Sequence, residues 1–437
     1  MRTSGRVAAA AALVAAALLL GGCFRYVKGL GRVSPGVPTT AYDSVEVRLV
    51  LIGDAGLPAP GGEPVLKALQ TELSYDRRSF VVFLGDNVYP RGMVRDSTAA
   101  ERRENERIID DQLAPLLATN VRGIMVPGNH DWAAGTEGGW DAVRAQQRYV
   151  AARGRGLVQV LPEGGCPGPH VVDIGETLRL IVLDTQWWLH AAYPRPYGPR
   201  SECRARTEQE VVDTLRADLA SAGQRRTVVV SHHPLVSGGQ HGGYFDWPTY
   251  LFPFHPWARQ AGIFARQDVT GREYRALIAA MVRAFQGNAP LIHAAGHEHN
   301  LQLLRGIGAH YQVVSGGGIF NHTTPVRAIP GTLYARRASG WTTVVFMRDG
   351  RVRLANRTVS ADGTFKEEFS LWLDTPPFIR PPSPADTTSM APIVSDTAVV
   401  PPAPAPAPAP APPSPAPAPP SPPPAPAPPP VRAGARP

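Results

Sequence analysis

The stretch Gly296-His297-Glu298-His299-Asn300 carries two imidazoles two residues apart, directly after the apolar run Leu291-Ile292-His293-Ala294-Ala295. Side chains two apart at the end of a strand leave on the same face, so both rings can point into one crevice. The same design recurs at four other points: Asp54 in Gly53-Asp54-Ala55-Gly56, Asp86 and Tyr89 in Gly85-Asp86-Asn87-Val88-Tyr89, Asn129 in Gly128-Asn129-His130-Asp131, and His232 in Val229-Val230-Ser231-His232. Each follows an apolar run. Together they offer carboxylate, phenol, amide oxygen and imidazole, with no thiolate, which argues against a structural zinc site. Mixed oxygen and nitrogen donors suit one or two hard or borderline ions such as iron, manganese or zinc. The chemistry they point to is two-metal hydrolysis, in which a bound water is acidified to hydroxide. Singly, each signal is weak: Gly-Asp after a strand is a common turn, Asn129 alone reads as a turn residue, and Tyr89 alone as core or surface. Their recurrence at successive strand ends carries the argument.

The elements that must position them follow from hydrophobic periodicity. Residues 45–52, 80–84, 121–126, 178–183, 227–230 and 291–295 read as strands, and residues 64–75, 100–117, 207–222 and 272–285 as helices. Strands alternating with helices predict an α/β fold with a largely parallel sheet core. Later strand-like segments at 311–314, 341–347 and 351–359 predict antiparallel additions or a second sheet. In such folds ligands sit outside the carboxyl ends of the strands, where all five clusters fall.

In this order the five blocks resemble those of the calcineurin-like metallophosphoesterases, and more narrowly the purple acid phosphatases of the small, tartrate-resistant type. The narrower likeness lies in Gly296-His297-Glu298-His299-Asn300-Leu301-Gln302 and in the Tyr three residues after Asp86. The resemblance implies a sandwich of two mixed β-sheets flanked by helices. It implies that Asp86 bridges two metal ions, with Asp54, Tyr89 and His299 completing one site and Asn129, His232 and His297 the other. Tyrosinate would favour Fe(III) in the first site and give the family's purple colour; the second would hold Fe(II), Zn or Mn. His130 is then set to protonate or steady the leaving oxygen, with Asp131 orienting its ring. His232 and His233 stand side by side, and the family pattern, with its ligand two before Pro234, selects His232; His233 and, in the Gly-rich loop, His241 are expected to contact substrate. Asp184 is expected to be a structural strand-end residue. Trp187, Trp188 and Trp247 read as aromatic core rather than the mouth of a pocket, and the loops at 162–206 and 237–260 as the seat of specificity.

The rest of the chain bounds location. Residues 1–23 read as an export leader: Arg2 and Arg6, an apolar core from Ala8 to Leu20, then Leu20-Gly21-Gly22-Cys23. That ending resembles a bacterial lipobox, which would make Cys23 the lipidated first residue of a membrane-anchored lipoprotein, facing the periplasm or the outer surface. A tether at 24–44 leads to the catalytic domain at 45–373. A Pro/Ala-rich tail at 374–437 holds most of the 47 prolines and cannot pack a core. It reads either as an extended spacer through a cell-wall or periplasmic layer or as a disordered tail without a partner. The formal charge of +8 includes Arg2 and Arg6 and comes in no Lys/Arg block, so no nucleic-acid partner is expected. In an exported chain the loop cysteines Cys166 and Cys203 are expected to pair, although sequence does not bring their Cα atoms together. The function expected is an exported phosphomonoesterase. The rival readings are a phosphodiesterase or nucleotide-cleaving enzyme of the same fold, and a non-catalytic binding protein of the cell envelope.

Overall fold

The computed structural model describes residues 44–245 and 266–375. The leader with Cys23, the tether to residue 43, Trp247 and the tail beyond 375 lie outside the described residues. In chain order the strands are β1 (Val45–Ile52), β2 (Ser79–Phe83), β3 (Arg122–Met125), β4 (Val158–Val160), β5 (His170–Ile174), β6 (Leu178–Val182), β7 (Arg226–Val230), β8 (Ile292–Ala295), β9 (Leu301–Arg305), β10 (Tyr311–Ser315), β11 (Thr332–Arg336), β12 (Gly340–Met347), β13 (Val352–Val359) and β14 (Phe365–Trp372). The helices are α1 (Pro64–Tyr75), α2 (Ala99–Thr119), α3 (Gly139–Arg153), α4 (Thr185–Leu189), α5 (Glu208–Ala220) and α6 (Arg272–Phe285).

These strands form two seven-stranded sheets, ordered β14-β13-β12-β1-β2-β3-β4 and β11-β9-β10-β8-β7-β6-β5. Parallel pairing runs from β1 to β4 in the first and through β6, β7, β8 and β10 in the second. All other pairs are antiparallel. The parallel core expected from strand–helix alternation is present in both sheets, and the later strands supply the expected antiparallel additions, giving the two mixed sheets that the family resemblance implied. The additions β9–β10, β12–β13 and β13–β14 are antiparallel because consecutive strands joined by short turns pair that way.

Side-chain alternation builds the layers. Leu49 and Leu51 of β1 and Phe80 and Val82 of β2 point between the sheets, where they meet Leu180, Val228, Val230 and Ala294. Their neighbours Val50, Ile52, Val81 and Phe83 point outward under α1 and α2. On the far side Ile181 and Val229 pack against α5 and α6. α2 opens with a reciprocal capping box between Thr98 and Glu101 and ends at Asn120 in the left-handed conformation. With both faces of each central strand covered, the strand ends are fixed against one another, and that is what the site requires. Phe346, fully buried between the sheets, tests this packing. Phe346→Ala is expected to lower unfolding free energy by about 3–5 kcal/mol in urea titration, because the cavity collapses only in part.

Cys166 and Cys203 form the expected disulfide, with Cα atoms 5.5 Å apart.

Candidate metal centre

Five strand ends converge between the sheets: β1 gives Asp54, β2 gives Asp86 and Tyr89, β3 gives Asn129, β7 gives His232, and β8 gives His297 and His299. Asp54, Asp86 and His297 have φ of 59°, 55° and 70°. This left-handed region is uncommon for residues other than glycine and persists only where the surroundings impose it. Here they do. Asp54 N donates to Gly85 O at 2.9 Å, and His297 N donates to Asp54 Oδ2 at 2.9 Å, tying the end of β8 to that of β1 across the two sheets.

Each carboxylate spends one oxygen on the backbone and turns the other inward. Asp86 Oδ1 accepts from His130 N at 2.9 Å. Its Oδ2 lies 3.1 Å from the Tyr89 hydroxyl and 3.3 Å from His232 Nε2. On one side of that oxygen the Tyr89 hydroxyl is 3.2 Å from Asp54 Oδ1 and 3.0 Å from His299 Nε2. On the other, His232 Nε2 and His297 Nδ1 are 3.0 and 3.1 Å from Asn129 Oδ1 and 3.2 Å from each other. The seven residues therefore make two donor sets that share Asp86.

Do these groups fit cations? His232 Nδ1 meets Leu84 O at 2.8 Å and His297 Nε2 meets Gln267 O at 2.7 Å. A nitrogen facing a carbonyl must carry the proton, so the nitrogens turned into the cluster present lone pairs. When neutral, the two rings thus turn lone pairs toward an amide oxygen and a carboxylate oxygen, a set of acceptors that needs a positive charge among them. Ligands held at about 2.1 Å around a common ion stand roughly 3.0–3.4 Å apart, which is the spacing found. Electrostatics agree. Burial pushes the Tyr89 phenol well above 10, and the Asp86 and Asp54 carboxylates push it further, so only a cation can make it a phenolate ligand. Burial lowers the His232 pKa, but the Asp86 charge outweighs it and lifts it to about 9. Burial likewise raises Asp86, yet His232 and His130 hold it well below the carboxylate range. The cluster attracts positive charge.

His130 stands beside the sets, not in them. Its Nδ1 donates to Pro90 O at 2.6 Å, its ring lies 4.3 Å from that of Tyr89, and its Nε2 is 3.9 Å from Asp86 Oδ2. The expectation that Asp131 orients this ring fails. The Asp131 carboxylate accepts from Asn87 N, Val88 N and Gly128 N, because consecutive side chains leave the turn in different directions. It buttresses the turn that carries Asp86, and burial together with the Asp86 charge pushes its carboxyl to about 7.

His233 is also placed otherwise than expected. It is fully buried, with Nδ1 2.8 Å from Thr185 Oγ1 and Nε2 2.7 Å from Gln267 Oε1. Both nitrogens are engaged, so it is not turned to substrate, and His232 is the ring with a nitrogen left for the cluster. His241 does reach the cleft: its ring is 3.9 Å from that of His297, and Nδ1 is 2.7 Å from Asp268 Oδ1. Asp184 caps α4 and accepts from Trp132 Nε1 at 2.8 Å, the structural role expected. Trp187 is fully buried.

Sequence reasoning missed Asp268, which nothing in its neighbourhood marks, and His322, whose ring is 4.3 Å from His299. A signal for His322 existed. Gly316-Gly317-Gly318 follows β10 as glycine follows the strands of the five clusters, with His322 four residues on, and a Cβ on Gly316 would stand 2.4 Å from Asp54 Oδ2.

The model of a family described as calcineurin-like phosphoesterase matches residues 47–301, more than half of the chain and all five clusters. The chain belongs to the calcineurin-like phosphoesterase family. It is a metal-dependent phosphoester hydrolase, in a family that works with a dinuclear metal centre. Among solved structures it is similar to GAP50, the anchor in the inner membrane complex of Plasmodium, at 14% identity and a TM-score of 0.50, covering 77% of this chain and 90% of that one. It is also similar to a purple acid phosphatase from yellow lupin (Lupinus luteus) seeds, at 18% identity and a TM-score of 0.48, covering 74% of this chain and 53% of that one. No curated protein sequence matches.

The family's turns are steric as well as chemical. A Cβ on Gly128 would lie 2.3 Å from both Asp86 N and Asp86 Oδ1. Gly128→Ala is therefore expected to displace the shared carboxylate and cut turnover by about 10²-fold without removing any reactive group. Steady-state kinetics beside a thermal melt will separate this from unfolding.

Proposed function

We propose that this phosphoesterase is a phosphomonoesterase of the purple acid phosphatase type, with Fe(III) held by Asp54, Tyr89, His299 and Asp86, and Fe(II), Zn or Mn held by Asn129, His232, His297 and Asp86. The observation that carries the reading is the phenol: the Tyr89 hydroxyl is within 3.2 Å of Asp54 and Asp86 and 3.0 Å from His299. A phenolate ligand favours ferric iron. Bound there, the two ions would lower the pKa of water and neutralise charge on the phosphoryl oxygens.

The protein's own groups do the rest. His130 keeps its Nδ1 proton on Pro90 O, which aims Nε2 at the leaving-group oxygen as proton donor. His241, held by Asp268, contacts the phosphate from the side of His297. Asp54 and Asp86 supply the negative charge that holds the cations.

The leader and the disulfide support export, since disulfides persist in oxidising compartments. We read Cys23 as the lipidated residue of a membrane-anchored protein and the Pro/Ala-rich tail as a spacer beyond the catalytic domain.

The test is hydrolysis of p-nitrophenyl phosphate against its bis-ester by the iron-loaded chain. Faster monoester cleavage is expected; preference for the bis-ester would make the protein a phosphodiesterase. The loaded chain should also absorb in the visible, and Tyr89→Phe should lose that band while remaining folded.

A further inference from the structure

Glu298 has no role in the chemistry above. It lies between His297 and His299, and a side chain one position along leaves on the opposite face. The carboxylate is fully buried and turns to the Gly-rich loop at 237–243. Its Oε1 accepts from Ser237 Oγ at 2.9 Å and from Gly242 N at 3.0 Å. Ser237 Oγ accepts from Gly239 N at 2.9 Å and Gln302 Nε2 at 3.0 Å, and Gln302 Oε1 accepts from Gly238 N at 2.8 Å. The fit leaves no slack: a Cβ on Gly239 would stand 2.2 Å from Glu298 Oε2.

The same loop carries His241. From the other side Asp268, 3% exposed, meets His241 Nδ1, and Val269 N donates to His241 O at 2.9 Å. His241 is thus held through its main chain and through Nδ1. Burying a carboxylate is costly unless it is hydrogen-bonded, and here its bonds go to the loop that brings a second histidine to the cleft.

We propose that Glu298 is a positioning residue for substrate. Acting through Ser237 and Gly242, it sets where His241 stands over His297, and Asp268 holds that ring at Nδ1. The proposal rests on the phosphoesterase reading of the site and adds the device that orients the phosphate.

The test compares the full metal-loaded chain with its Glu298→Ala, Glu298→Gln, Ser237→Ala, His241→Ala and Glu298→Ala/His241→Ala variants. Readouts are metal per chain, kcat and KM for p-nitrophenyl phosphate, and hydrogen exchange over residues 237–243. Glu298→Ala is expected to lower kcat/KM by about 10–100-fold, the usual scale for a group that orients a site residue, with both metals retained and the loop amides exchanging faster. Glu298→Gln keeps an acceptor oxygen and should recover most of the loss. The double variant should be no slower than His241→Ala, since residues that act as a unit are not additive. Multiplying losses in the double variant, or loss of metal in Glu298→Ala beside normal rates in Ser237→Ala, would overturn the proposal. Should Glu298→Ala not fold, Ser237→Ala removes the same bond from the loop side and takes its place in the cycle. A wild-type chain inactive on phosphate esters would count against the functional reading; hydrogen exchange still decides this one, because unchanged protection of Gly239 and Gly242 in the variants contradicts it.

Discussion

Asp86→Asn is expected to lower phosphoester turnover by at least about 10²-fold and to reduce bound metal in both donor sets together. Asp86 Oδ2 is within reach of both sets, 3.1 Å from the Tyr89 hydroxyl and 3.3 Å from His232 Nε2. Asparagine is the same size and can keep the bond to His130 N through its amide oxygen. It then turns an uncharged NH2 toward the shared position and removes a negative charge where cations belong. Substitutions within one set, such as Asn129→Ala, leave the other set whole. Metal analysis and kinetics on the same preparations distinguish the cases: paired loss for Asp86→Asn, single loss for Asn129→Ala.

His130→Ala is expected to lower kcat by at least about 10²-fold while leaving the metal content unchanged. Its ring lies outside both sets, held by Pro90 O and tilted against the Tyr89 ring at 4.3 Å. The loss should grow as the leaving group becomes more basic, because a proton donor matters most when the departing oxygen is a poor anion. An alkyl phosphate should therefore suffer more than p-nitrophenyl phosphate. An equal loss on both would give His130 a positioning role without proton transfer.

The sequence made the site more legible than the sheets. Asp54, Asp86, Tyr89, Asn129, His232, His297 and His299 could be found because each follows a short apolar run, and such runs are local signals. β1, α1 and α6 occur with the bounds that periodicity predicts. α3 was missed because it begins at a glycine without a side-chain cap and buries a face of small residues and Gln146. β14 was missed because its FKEEFSLW sequence is half-exposed and charged. Its place at a sheet edge comes from pairing with β13. The orientation of the imidazoles was out of reach for another reason: Leu84 O, Gln267 O and Pro90 O set it, and a main-chain carbonyl leaves no mark in a side-chain pattern. That is also why Asp131 was given a role that a backbone atom performs.

The most direct measurement is the number of metal ions per chain, by elemental analysis of the purified full-length protein and of Asp86→Asn. Two donor sets joined by one carboxylate predict two ions per wild-type chain and a marked loss from both positions in the variant. A wild-type chain that binds no more than one ion, or an Asp86→Asn variant that keeps two and turns over normally, would contradict the account.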